Sequence, residues 1–504
     1  MKKRNNLIVL FLLMQIPVLL AQNPTEMTGS FSGGNAISQS ISKQKISIAS
    51  YPSYAEYESL MHNFAMNYPG ICRLDTFKTL SSGRRLLMLV IDDNPDQLEQ
   101  EPVFFYTSTM HGDETVGYIL MLNLIDTLLK SYGSVNRITN LVDDVKICIN
   151  PLANPDGTYA GGNSSVSGAT RFNSNSVDLN RNFPDPEDGM HPDGNVWQEE
   201  TEGFMVLADS LGFHISANLH SGNVVVNYPW DTWNNTPANE DWWLLIGHEY
   251  ADSAQFYGPS GYFSSAQFPN GVTKGYDWYS ISGGRQDYMN YYHYCREMTL
   301  ELSMQKLLPE SELPVMWEAN RRSLLNYISQ AKFGVSGTVS DSLSGLPLKA
   351  KIYISNFDVD SSHAYSRATD GYYHRYLASG NYTLTYSAPG YVSKDKTMTV
   401  SNYQKHAVNV QLVPDNVLVS SVKKHPFQVY PNPADDLINV EMNIDPQQEI
   451  LMELRDLTGK TIKTLRLNTN EKIASLPIEN IPPGIYLIQI QSDQYRYTDK
   501  IIIQ

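Results

Sequence analysis

A chain of 504 residues is too long for one small core, and about two to four domains are expected. Hydrophobic residues make up 41%, an ordinary globular content that excludes a wholly disordered chain. The formal net charge of −16 argues against nucleic acid or an anionic lipid surface as partner.

Residues 1–21 carry a positive head, Lys2-Lys3-Arg4, then an apolar run from Leu7 to Leu20 and a small residue, Ala21. The run is short for a membrane span and reads as a secretory signal peptide. Residues 22–49 are rich in Ser, Gln, Gly and Asn, as in a leader or short propeptide. Three cysteines, Cys72, Cys148 and Cys295, leave at least one thiol free, and Cys148 and Cys295 sit in apolar runs typical of buried packing residues.

From 50 to 332, helical and strand patterns alternate. Tyr54–Tyr68 has apolar residues at helical spacing and stops at Pro69-Gly70; Leu86–Ile91 and Val103–Thr107 read as buried strands. Val116–Leu129 is an amphipathic helix. Val145–Ile149, Ile215–Leu219 and Met298–Leu302 read as further strands, and Pro309–Ala331 as a closing helix. Strands interleaved with helices imply an α/β domain with a mixed, mainly parallel sheet. After Gly334 the runs become short and alternating. They predict a small all-β sandwich over 334–413, a linker over 414–425, and a second all-β module over 426–504.

Four polar clusters follow strand-like runs in the first of these domains. His111 and Glu114 leave the end of Val103–Thr107, where open α/β sheets place their sites. His-x-x-Glu alone carries little weight. His220, at the end of another apolar run, completes a two-imidazole, one-carboxylate set of the kind a catalytic zinc takes. Glu301 is an acid inside an apolar strand, costly to bury without a task, and suits a general base. Arg171, Asn180 and Arg181 lie in one polar segment; guanidinium groups bind a carboxylate bidentately or stabilise a developing oxyanion.

These pieces, in their order, resemble the zinc carboxypeptidase family, in particular its regulatory branch of carboxypeptidase N, E, D and M types. The matching segments are HGDE (111–114), NPDG (154–157), VDLNRNFP (177–184), NLHSGNVVVNYPWD (218–231), NGVTKGYDWYSISGGRQDY (270–288) and MTLELS (298–303). The resemblance implies a hydrolase with one zinc ion on His111, Glu114 and His220. It makes Glu301 the general base and Arg171 the group that polarises the scissile carbonyl. Asn180, Arg181 and Tyr279 would hold the substrate's terminal carboxylate, and the glycines after Tyr279 suit a mobile loop. Asp231 and Gln286 would line the pocket for the last side chain, and the acid favours Lys or Arg there. Arg285 departs from the family pattern, which often has Met; pointing inward, it would repel a cation. The β module at 334–413 resembles the transthyretin-like domain of the same branch. The last module resembles the type IX secretion sorting domain, through Val429-Tyr-Pro-Asn-Pro433, Asp456-Leu-Thr-Gly-Lys460, Pro483-Gly-Ile-Tyr-Leu487 and the terminal Lys-Ile-Ile-Ile.

The expectation is therefore a secreted or cell-surface monomer that removes C-terminal Lys or Arg from peptides or proteins and meets the type IX secretion machinery through its last module. Alternatives are a carboxypeptidase for neutral termini or cell-wall peptides, and an inactive surface binding protein.

Overall fold

The computed structural model describes residues 48–415, 427–442, 449–468, 472–492 and 496–504. The signal peptide, nearly all of the leader and most of the linker lie outside them. The described residues form two compact units that divide between Val413 and Pro414.

The first unit is built on an eight-stranded sheet. Its strands are β1 (Cys72–Thr79), β2 (Arg85–Ile91), β3 (Val103–Ser108), β4 (Lys146–Asn150), β5 (Ile215–His220), β6 (Val224–Tyr228), β7 (Val272–Lys274) and β8 (Arg296–Leu302), in the spatial order β1-β2-β4-β3-β5-β8-β6-β7. The central pairs β4/β3, β3/β5 and β5/β8 are parallel, and antiparallel pairs flank them. Alternation along the strands divides the core between two faces. Leu87, Leu89, Phe104 and Tyr106 join one cluster with helices Tyr54–Asn67, Val116–Ser131 and Leu313–Gln330. Leu86, Met88, Val103 and Phe105 join the other, with Phe204, Phe213 and Tyr288. Both faces are thus covered, which explains why β2 to β5 read as continuous apolar runs. All three cysteines are buried and free.

Register fixes the site's frame. In the β5/β8 pair His220 lies opposite Glu301, so two of the four polar clusters meet at one sheet position. Their parallel neighbour β3 ends at Ser108, and His111 follows three residues later.

Residues 334–413 form a sandwich whose strands include Gly334–Asp341, Gly380–Ser387 and Val410–Pro414, around Val335, Ile352, Tyr373, Leu384 and Leu412. It is tied to the large sheet domain by Asn239, whose Nδ2 donates to Tyr376 O and whose Oδ1 accepts from Ala378 N, both at 3.1 Å. Trp242 stacks on Tyr376 at 5.3 Å. The second unit is all strands among its described residues, arranged as a three-stranded and a four-stranded sheet around Ile438, Val440, Met452, Ile488 and Ile501. Within it Asn432, the centre of the Tyr-Pro-Asn-Pro run, pins the last strand: Nδ2 donates to Lys500 O at 2.7 Å and Oδ1 accepts from Ile502 N at 2.9 Å.

Candidate active site

The chain turns sharply off β3. Thr109 adopts φ 65°, a left-handed conformation that a β-branched residue takes only when its surroundings enforce it. The enforcement is local. Asn154 of the Asn-Pro-Asp-Gly run accepts from Gly157 N at 2.8 Å and donates to Met110 O at 3.2 Å, and Thr158 Oγ1 donates to Gly112 O at 2.9 Å. A Cβ on Gly112 would collide with the backbone at Gly157, so only glycine fits there. One polar turn thereby buttresses the next and presents His111 and Glu114.

His111, Glu114 and His220 converge. Glu114 Oε1 lies 2.9 Å from His111 Nδ1, and Oε2 lies 2.9 Å from His220 Nδ1. The two Nδ1 atoms are 3.2 Å apart, and Ser221 N donates to Glu114 Oε2 at 3.0 Å. All three side chains are buried. Burial opposes ionisation of Glu114, but the two imidazoles outweigh it and hold the carboxyl well below its usual range. Burial pushes His220 down to about 4, so its ring is neutral near pH 7. An ionised carboxylate and imidazole nitrogens aimed at one point, within 4.8 Å of each other, fit zinc.

Asp178, absent from the expected site, organises the next layer. Its Oδ1 lies 3.0 Å from His111 Nε2 and its Oδ2 accepts from Arg171 Nε at 2.9 Å. A carboxylate on the far nitrogen of a metal-binding imidazole fixes the ring's tautomer and orientation. Burial works against this carboxylate's charge, yet His111, Arg171 and Arg181 outweigh it and keep it below the usual range. Asp178 Oδ1 also caps the turn Leu179–Arg181 by accepting from Asn180 N at 3.0 Å.

That turn carries the expected carboxylate binders. Asn180 Oδ1 accepts from Arg285 N at 3.0 Å, which leaves its amide donors for other partners. Arg181, Arg171, Asn180 and Tyr279 line one cavity with the three metal-binding candidates, Glu301 and Asp231. Tyr279 is half exposed and packs edge-on to Trp278 at 4.6 Å. Glu301 is buried, and its Oε2 has no hydrogen-bond partner. Burial and the charge of Glu114 push its carboxyl up to about 8.

Asp231 is buried at the cavity wall, where Asn227 Nδ2 donates to its Oδ1 at 2.9 Å. Burial pushes it up to about 6, against the lowering effects of Asn227 and Arg181. The expected conflict with Arg285 does not arise. Its guanidinium makes a bidentate pair with Glu297, 2.9 Å at both contacts, and lies 5.5 Å from the ring centre of Phe105 and 5.4 Å from that of Phe204. Turning it to the cavity would strand Glu297 as an unpaired buried charge, at about 3–5 kcal/mol. Gln286 is buried in the same helix, its side-chain amide unpaired, and is not among the residues lining the cavity. Sequence reasoning passed over Asn227 and Lys306, which also line it; Lys306 Nζ lies 3.1 Å from Glu114 Oε1. Asp178 had a signal, an acid two and three residues before Asn180 and Arg181; Lys306 had none.

Three segments of the chain match known families. Residues 57–323 match the zinc carboxypeptidase model, 334–413 the carboxypeptidase regulatory-like domain and 428–504 the secretion system C-terminal sorting domain. Human carboxypeptidase D is 37% identical over 375 residues, 71% of this chain. The chain spans only 26% of that protein's length. Mouse carboxypeptidase M is 36% identical, covering 68% of this chain and 79% of that one. The catalytic chain of human carboxypeptidase N is 34% identical, covering 77% of this chain and 90% of that one. On the matched model, and on a relative covered over nearly its whole length, this chain is a member of the zinc carboxypeptidase family.

Proposed function

We propose that this protein is an exported carboxypeptidase that holds one zinc ion on His111, Glu114 and His220 and releases single C-terminal residues, preferring Lys and Arg. The observation that carries the reading is one cavity lined by the metal donor set, the acid Glu301 with one oxygen unpaired, two guanidinium groups and a buried acid, Asp231.

Each group has a task. Arg181, with the free amide donors of Asn180, binds the terminal α-carboxylate, and Tyr279 closes over it. Arg171 donates to the scissile carbonyl oxygen as negative charge develops. Glu301 takes a proton as water attacks the carbonyl carbon, then gives it to the leaving amine as the C–N bond breaks. The products are a shortened peptide and a free amino acid. A bound zinc ion supplies Lewis acidity and a lowered pKa for water.

Asp231 is the specificity acid. With peptides differing only in a last residue of Arg, Lys, Leu or Glu, the wild type should favour Arg and Lys. Asp231→Ala should cut kcat/KM for Arg by roughly 30-fold or more, as expected when one partner of a buried charge pair is removed. The preference should also fade as the pH falls through about 6, because Asp231 then takes up a proton and loses its charge. Unchanged Arg cleavage in Asp231→Ala would refute the basic pocket, and a wild-type preference for Leu would favour the neutral-terminus alternative.

The sorting domain at 428–504 supports export, with the type IX secretion machinery as partner and the cell surface or surroundings as destination. The apolar head of the sequence supports an initial signal-peptide step.

A further inference from the structure

Two further buried acids hold the Asp231 segment. Asp287, in the first turn of the helix Arg285–Tyr292, accepts from Asp231 N through Oδ2 at 2.9 Å and from Thr232 N at 2.8 Å. Asp185 accepts from Thr232 Oγ1 at 2.9 Å and, through its other oxygen, from Gly283 N at 2.8 Å. Gly283 O in turn accepts from Phe183 N at 3.1 Å, two residues from Arg181. Ile281 N donates to Asp231 O at 3.1 Å. Asp185 and Asp287 are each 1% exposed and line no part of the cavity. Thr232 is the joint between them: its amide goes to one acid and its hydroxyl to the other.

This arrangement ties three segments of the cavity into one frame. They are the turn with Asn180 and Arg181, the loop of Tyr279 to Gly284, and the strand end with Asp231. It also gathers three buried carboxylates, of which only Asp231 reaches the cavity. Around Asp231, Arg181 is the cation that lowers its pKa, and the Arg285 guanidinium is engaged with Glu297.

Resting on the reading of Asp231 as the specificity acid, we propose that Asp287 and Asp185 are positioning residues for substrate selection. Through Thr232 they set the Asp231 carboxylate at a fixed height against the terminal-carboxylate binders. Burial and the neighbouring Asp231 push the Asp287 carboxyl well above its usual range, so its part is positioning rather than charge. Selectivity thus belongs to a three-acid frame rather than to Asp231 alone.

The test uses the full-length, zinc-loaded protein and peptides ending in Arg or Leu. Asp287→Asn sets an amide against the backbone donors of Asp231 and Thr232. It should lower the Arg-to-Leu ratio of kcat/KM by roughly tenfold, through a raised KM for Arg more than through kcat. Thr232→Val keeps all three acids but cuts the joint, and should lower the same ratio; Thr232→Ser should restore it. If Asp287→Asn does not fold, the Thr232 pair decides alone. A ratio unchanged in folded Asp287→Asn or Thr232→Val, or an equal loss on Arg and Leu, overturns the proposal. A wild type without Arg preference removes the basic pocket and this frame together. If Asp231→Ala abolishes the preference and the frame variants leave it intact, this proposal alone falls.

Discussion

Glu301→Gln is expected to lower kcat by about 10²–10⁴-fold with little change in KM, the range for losing a positioned general base. The substitution keeps the shape and removes the proton acceptor. Glu301 suits this role because register sets it opposite His220, while burial and Glu114 hold its proton affinity unusually high. Its Oε2 has no protein partner to give up before it acts. An ordinary structural carboxylate in a strand would be paired, and its amide replacement would affect folding more than turnover. Circular dichroism and thermal melting alongside the kinetics separate these cases. Near-normal turnover in Glu301→Gln would remove the residue from the mechanism.

Stripping the metal with a chelator is expected to abolish turnover, and added zinc should restore it. The donor set is two imidazole nitrogens and a carboxylate that faces both of them. Burial leaves His220 neutral and its imidazole neighbours keep Glu114 ionised, as a cation requires. At His111 burial is outweighed by Glu114 and Asp178, which raise its pKa, and a bound cation would displace its proton. Asp178 on the far side of His111 adds the orienting contact typical of a metal-binding imidazole. Activity indifferent to chelation would contradict the assignment of all three donors.

Much of this was legible in the sequence because the sheet is buried on both faces. Apolar runs marked β2 and β3 and strand-like segments marked β5 and β8, and the polar residues that follow or interrupt them stood out. That pattern exposed His111, Glu114, His220 and Glu301. What stayed hidden depends on where side chains point after the loops fold. Asp178 and Asn180 are neighbours in sequence order, yet only the capped turn makes one an organiser and frees the other's amide. Arg285 could be judged from sequence only as a charge near the pocket. Its partner Glu297 comes from β8, and the pair lies among Phe105 and Phe204 in the core. Nothing in the spacing of Asp185 and Asp287 reveals a shared joint at Thr232.

The most direct test of the account compares two peptides of one sequence ending in Arg, one with a free C-terminal carboxylate and one amidated, each followed by mass spectrometry. The account predicts stepwise loss of one C-terminal residue from the free peptide and none from the amide, because Arg181 and Asn180 require an α-carboxylate to grip. Internal cleavage, or equal processing of the amidated peptide, would contradict it.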